Sequence, residues 1–359
     1  MFQGIPAPLG EGFFMPAEWY LHDKCWIHWP HRPDNWRLNA LPARAAYTNV
    51  IKAISKFEHV MVAVSSCCIE SATTQLKSIE NVTIVPMESD DSWMRDTGPT
   101  FVIAKPSMNT DVSIKGIDWK FNCWGNMGLQ IDPSSNEMVN FMTYHNDQLV
   151  ASNVCNFEKI SYYSTRNVEG KENNSVEFIL EGGSIHVDGE GTCITTEECL
   201  LHTNRNSHLT KSEIESYLKQ YLNVQVVVWI KHGLTGDEDT NGHVDNLACY
   251  YAPGKVLLSW TDDESDEFYH VCREAYHTLV STKDAQNRTI TVTKLPVPPV
   301  MYYTTADVEG LDQRGKVIAL HDTEIGVLHI ILQLLCMKFN MNVYFILQVV
   351  SLAEQLERD

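Results

Sequence analysis

Apolar and polar positions along this chain switch repeatedly between two periods. Pro42 to Phe57 carries its apolar residues at helical spacing, which predicts an amphipathic helix. "HVMVAVSS" from His59 is a continuous apolar run, as a buried strand would be, and "NVTIVP" from Asn81 is a second short strand. "LTKSEIESYLKQYL" from Leu209 opens on Thr210 with Glu213 three residues on, the signature of a capping box. Strand patterns return at "VQVVVWI" from Val224 and "KVLLSW" from Lys255. "SDEFYHVCREAYHTLV" from Ser265 then predicts a helix with acids in its first turn. Strands alternating with helices make this an α/β chain.

Three loops between these elements are crowded with chemistry. They are "ESDDSWMRDTGPTFV" (Glu88–Val102), "LEGGSIHVDGEGTCITTEECLLHTNRN" (Leu180–Asn206) and "GDEDTNGHVDNLACY" (Gly236–Tyr250). Each sets acids, glycine, and tryptophan or histidine beside a short apolar strand. Polar loops on a rigid scaffold are the usual way to build a site.

Composition narrows the partners. The 359 residues carry a formal charge of -19, which argues against nucleic acid and favours a cationic small molecule. Solubility alone also accounts for an acidic surface. The 44% hydrophobic content suffices for a sizeable core. Ten cysteines occur without any C-x-x-C, and the N-terminal stretch does not read as a signal peptide. They read as free thiols in a reducing compartment, the cytoplasm, and zinc-ribbon spacing is absent. The glycosylation sequon at Asn173 carries nothing without secretion. No glycine-rich strand-to-helix loop supports nucleotide binding.

Within the loops, His243 and Asp245 are two apart, so a strand would turn both to one side. A carboxylate beside an imidazole suits acid-base work near neutral pH. Asp239 could add a metal ligand, although no H-E-x-x-H spacing is present, and the local pattern by itself favours a merely polar turn. Trp93, Arg95 and Asp96 offer an aromatic wall beside a carboxylate, a receptor for a planar guanidinium, or a capped turn. Glu181 precedes two glycines that permit close backbone approach, and a buried acid there needs a partner. His186 reads as a core histidine or a group behind the site. Cys193 and Cys249 fall in apparent strands and read as structural.

Taken together, "MPAEW" at Met15, "WPHRPDNW" at Trp29, "WMRDTGP" at Trp93, "EGGSIHVDGEGT" at Glu181 and "GDEDTNGHVDN" at Gly236 resemble the agmatine deiminase family. The resemblance runs in order from Met15 to about Gly315. It implies a pentein-type α/β propeller of five pseudo-symmetric modules, and hydrolysis of agmatine to N-carbamoylputrescine and ammonia on the route to putrescine. It also implies a homodimer and no metal or organic cofactor. A cysteine thiolate would attack the guanidinium carbon. His243 would be the acid-base, with Asp96 and Asp245 gripping the guanidinium nitrogens. Glu181 and Trp93 would line the pocket, with Asp239 counted among the substrate-binding candidates. Peptidylarginine is the alternative substrate within the same branch.

The family's nucleophile stands in a string of the form Gly-Gly-Asn-Ile-His-Cys-Ile-Thr. That string belongs to the final module; here the one comparable string is "GGSIHV" at Gly182, the non-catalytic copy, with Val187 where the final-module copy has its cysteine, and the catalytic copy is not found. From about residue 317 the text changes character. Ile325 to Leu352 holds one charged residue, Lys338, in twenty-eight. His329, Gln333, Lys338, Asn340 and Asn342 interrupt it, which argues against a membrane span of roughly 20 apolar residues. The expected division is a deiminase-like domain over 1–316 and a divergent apolar tail over 317–359 replacing the last module. Cys336 in that tail has no Gly-Gly or His beside it and reads as inert. The chain as written is therefore expected to lack turnover, leaving a ligand- or subunit-binding paralogue as the alternative to an active enzyme.

Overall fold

Small sheets form because the chain repeatedly lays down strands and then crosses over through a helix. The computed structural model describes residues 7–33, 35–104, 112–126, 129–131, 138–140, 143–166 and 177–297. Asn173, Cys336, the apolar tail from 317 and the expected last module lie outside the described residues.

After the two-residue strand β1 (Phe13–Phe14), strand β2 (Lys24–His28) leads through helix α1 (Leu41–Ile54) to β3 (His59–Val64). Helix α2 (Ile69–Leu76) then carries the chain to β4 (Val82–Pro86). β2, β3 and β4 pair in parallel, which requires these helical crossovers. The continuous apolar run of β3 serves two cores. Val60, Val62 and Val64 face Trp29, Ile51 and Leu76, while Met61 and Ala63 face Val150 and Val154.

The short helix α3 (Met94–Thr97) precedes β5 (Thr100–Ala104) and β6 (Ile114–Asp118). A kinked turn α4 (Cys123–Asn126) and the small hairpin β7 (Leu129–Ile131) and β8 (Met138–Asn140) follow. Helix α5 (Asp147–Glu158) returns the chain to β9 (Tyr162–Ser164). Next come β10 (Ile185–Val187), β11 (Thr192–Thr196), α6 (Glu197–Leu200), α7 (Lys211–Leu222) and β12 (Val226–Ile230). The last described unit is β13 (Ala248–Ala252), β14 (Lys255–Trp260), α8 (Phe268–Ser281) and β15 (Thr291–Pro296).

Three of these units share one plan. An antiparallel pair (β5–β6, β10–β11, β13–β14) is followed by a helix and a strand parallel to the second member (β9, β12, β15). Strand β1 adds an antiparallel edge to the first of them. Among the described residues no helix is long and apolar enough to cross a membrane.

Most local expectations hold. The capping box is complete, with Glu213 Oε2 accepting the Thr210 N–H at 2.8 Å and Thr210 Oγ1 accepting the Glu213 N–H at 3.3 Å. One differs. Helix α8 begins at Phe268, so Asp266 and Glu267 stand before its first turn rather than in it. The reason is local: the Asp266 carboxylate accepts the Phe268 N–H at 2.9 Å, which holds the acid outside the helix.

Candidate active site

Each of the three repeated hairpins is entered through one short helical turn: Met94–Thr97 before β5, Gly182–Ser184 before β10, and Val244–Asn246 before β13. Equivalent entries from three units converge, and they bring Asp96, Glu181 and the His243–Asp245 pair together.

Gly183 is the close point. Its N–H donates to Asp96 Oδ1 at 3.0 Å. A methyl group there would lie 2.4 Å from His243 Nδ1 and 2.8 Å from Asp245 Oδ2, so only glycine lets the three loops meet. The other Asp96 oxygen accepts the Trp124 indole N–H at 3.0 Å. That indole is aimed by the kink in α4, where Trp124 has φ 49° and Gly125 φ 90°.

His243 is fully buried. Its Nδ1 lies 3.9 Å from Asp96 Oδ1 and 4.0 Å from Asp245 Oδ1, and its Nε2 lies 3.6 Å from Glu181 Oε2. Burial alone would lower the imidazole pKa. The Asp96 charge, the Cys199 thiol and the Glu181 carboxylate outweigh it and hold the ring protonated well above its ordinary range. The carboxylates differ from one another. Burial raises Asp96, and the negative charges of Asp245 and Glu181 add to this against the pull of His243. Burial also opposes ionisation of Glu181, yet the Arg205 and His243 charges hold it below its usual value. Neighbouring acids pushed in opposite directions are the raw material of acid-base chemistry.

His243 and Asp245 share a side, as expected, but for another reason. They sit at the start and in the middle of a 3-10 turn, not on an alternating strand. That turn is fastened by Asp237, whose Oδ2 accepts the His243 N–H at 3.1 Å and the Asn246 side-chain N–H at 2.8 Å. Asp239 is not brought to the cluster. It is exposed on the turn of the same loop.

The aromatic wall is larger than Trp93 alone. Trp93 stacks on Trp36, ring centroids 5.7 Å apart, and meets Trp124 edge-on at 6.4 Å. One buried carboxylate, Asp91, accepts both the Trp36 and the Trp93 indole N–H at 3.0 Å. Arg95 joins the floor, with Nη1 2.7 Å from Glu18 and Nε 3.9 Å from Asp245.

Arg205 is the largest omission from the sequence reading. Its guanidinium and Glu181 are both fully buried and meet at 2.8 Å. Its Nη1 also donates to Asn241 Oδ1 at 2.8 Å, tying the histidine loop to the glutamate loop. Cys199 was missed as well. Its thiol stands with Glu181 and His243, one donor atom from each lying within 4.8 Å of the others. The metal partner considered from sequence was Asp239; the group that geometry places there is Cys199. Cys193 and Cys249 are buried in β11 and β13, and burial pushes Cys193 up to about 12. His186 is a core residue, its Nδ1 accepting the Tyr250 N–H at 3.3 Å.

A family model described as Porphyromonas-type peptidyl-arginine deiminase matches residues 14–319. The chain belongs to this family. Among its relatives, the agmatine deiminase of Pseudomonas fluorescens is 47% identical over 308 residues, 85% of this chain and 76% of the relative. That of Medicago truncatula is 47% identical over 310 residues, 86% and 77% of the two chains. Among solved structures, the Enterococcus faecalis agmatine deiminase superposes with a TM-score of 0.73 at 38% identity, over 85% of this chain and 76% of that one. A cysteine-to-serine variant of the C. jejuni agmatine deiminase with substrate bound gives 0.68 at 26% identity, over 85% and 78%. The fold is thus that of the agmatine deiminases, the pentein-type α/β class expected from the sequence. The family is one of hydrolases acting on carbon–nitrogen bonds.

Proposed function

We propose that the cluster binds the guanidinium of agmatine, and that the 359-residue chain as written holds this ligand without hydrolysing it. The observation that carries the reading is three carboxylates, Asp96, Glu181 and Asp245, within 4.0 Å of one buried imidazole. A planar cation is the ligand such a set receives best, since carboxylates meet it through paired hydrogen bonds and indoles stack on it. The names of the relatives supply the particular cation.

In this reading Asp96 and Asp245 take the guanidinium N–H groups. Trp93, partly exposed, flanks the plane, and Glu181 holds the far nitrogen of His243. In the family's reaction a thiolate attacks the guanidinium carbon. Ammonia leaves with a proton from the histidine, and water then displaces the sulfur to give N-carbamoylputrescine. His243, held protonated, is ready for the first proton transfer. Asp239, on its exposed turn, is left with contact to the outer, aminobutyl end of the ligand.

In this reading the chain lacks the nucleophilic sulfur, since no Gly-Gly-Xaa-Ile-His-Cys string occurs in it. The one string of comparable form, "GGSIHV" at Gly182, is the non-catalytic copy: its Val187 stands where the final-module copy carries cysteine, is 1% exposed and packs into a hydrophobic core with Ile185 and Leu180. Active relatives would serve putrescine synthesis in the cytoplasm as homodimers; this chain would take part as a receptor or a companion subunit. Titration calorimetry with agmatine tests the assignment. Asp96→Ala should weaken binding by about 2–5 kcal/mol, the usual effect of breaking a buried charge pair. Equal affinity in wild type and variant would overturn it.

A further inference from the structure

We propose that Cys67 and Cys68 are an oxidant-responsive dithiol, which a hydroperoxide closes to a disulfide between neighbouring residues, and that closure loosens the Trp36–Trp93 wall. The two thiols end the turn Ser66–Cys68 that joins β3 to α2. Their sulfurs stand 3.4 Å apart. Cys67 is exposed, while Cys68 is only 7% exposed. Oxidant-sensing cysteines set an accessible thiol, which meets the oxidant, beside a second thiol that resolves it. The second thiol here has a cation on it: Arg44 Nη2 donates to Cys68 Sγ at 3.1 Å. Burial and the Cys67 thiol still push Cys68 up to about 11 against the pull of Arg44. Cys67 is therefore the first to react, and Cys68 the resolving partner.

Two steps close the pair. The Cys67 sulfur, losing its proton, attacks one oxygen of hydrogen peroxide; an S–O bond forms, the O–O bond breaks and water leaves. The Cys68 sulfur then attacks the Cys67 sulfur. The S–S bond forms, the S–O bond breaks, and the Cys68 proton leaves with the hydroxyl as a second water. Two thiols are oxidised by two electrons, and one peroxide is reduced to two waters. The Arg44 guanidinium offsets the charge that develops on Cys68 as its proton departs.

Closure reaches the wall through the backbone. Disulfides usually span about 4.4–6.8 Å between Cα atoms, whereas adjacent Cα atoms are held about 3.8 Å apart. Closing the ring therefore moves the turn as well as the side chains. Both halves of the wall are fastened to that turn. The Ser66 N–H donates to Glu88 Oε1 at 3.0 Å, and the Ser89 N–H donates to Ser65 Oγ at 3.3 Å. These bonds fix the head of the loop that carries Asp91 and Trp93. Arg44, besides its contact with Cys68, donates from Nε to the Pro30 carbonyl at 2.9 Å, which fixes the segment leading to Trp36. Asp91 then joins the two indoles.

The reduced full chain is treated with hydrogen peroxide, alkylated, digested and analysed by mass spectrometry. The expected product is a single peptide carrying both Cys67 and Cys68, lighter by two hydrogens, untouched by the alkylating agent and restored by dithiothreitol. In Cys68→Ser the Cys67 sulfenic acid should persist and be trapped by dimedone. Cys67 joined to another cysteine, or carried to the sulfinic acid while Cys68 remains alkylatable, overturns the pair. Tryptophan emission should shift to the red on closure and return on reduction, with no shift in Cys67→Ser. Identical spectra of the open and closed forms overturn the link to the wall. On the reading that this wall flanks a guanidinium, closure should also weaken agmatine binding by about 5–150-fold, the usual size of coupling between two sites. A reduced chain that binds no agmatine would sink that reading alone, since mass and emission are measured without ligand.

Discussion

Glu181 divides its two oxygens between opposite charges: Oε1 takes the Arg205 guanidinium at 2.8 Å, and Oε2 faces His243 Nε2 at 3.6 Å. Both members of the Glu181–Arg205 pair are fully buried, so neither charge can fall back on water. Removing one partner strands the other. Arg205→Met should therefore destabilise the fold by about 3–5 kcal/mol. The double variant Glu181→Gln/Arg205→Met should lose clearly less than the sum of the two single losses. Urea unfolding of the four proteins measures this, and simple additivity would show that the pair is not coupled.

Gly183 is where three loops touch. Gly183→Ala places a methyl 2.4 Å from His243 Nδ1, against a ring fixed on its other side by Glu181. The expected cost is about 1–3 kcal/mol of stability, together with a marked loss of agmatine affinity. Calorimetry and denaturant titration on the same variant test both; unchanged affinity would mean that the ring has room to retreat.

Asp91 holds two indoles with one carboxylate. Asp91→Ala leaves two N–H donors without partners, at about 1–3 kcal/mol each if they stay buried. The stacked pair Trp36–Trp93 should loosen, with red-shifted tryptophan fluorescence and weaker agmatine binding. A variant with the wild-type emission spectrum would count against a wall built on Asp91.

Asp147 gives the chain a pH dependence separate from the site. Burial raises its carboxyl to about 7, against the pull of the Asp90 and Asp91 N–H donors and with help from their carboxylates. An unfolded Asp titrates near 3.9. Between these values the folded chain keeps a proton that the unfolded chain has released, so the Asp147 contribution falls as pH rises from about 4 through 7. Asp147→Asn retains an oxygen for the Asp90 N–H, bound at 2.8 Å, and removes the titration. Its melting temperature should drop less than the wild type's between about pH 5 and pH 8; an identical drop would place the pH dependence elsewhere.

What could be read from sequence follows contact range. Strand β3 and helix α7 were legible because their signals, an apolar run and the Thr210–Glu213 cap, are local. His243, Asp245, Asp96 and Glu181 were legible as members of loops carrying family strings, and the fold brings all four together. Arg205 and Cys199 were not. Their partners are 24 and 36 positions away for Arg205, and 44 for Cys199 with His243, so no short pattern announces them. Asp237 and Asp239 are alike in the text of "GDED". Only the turn decides that Asp237 points inward to the His243 N–H while Asp239 stays exposed.

One agmatine titration in a power-compensated calorimeter tests both the binding and the absence of turnover. A receptor without a reaction gives a saturable heat after each injection, followed by return of the power to its baseline. A sustained power offset that scales with protein concentration, with ammonia accumulating in the cell, would reveal turnover and contradict it.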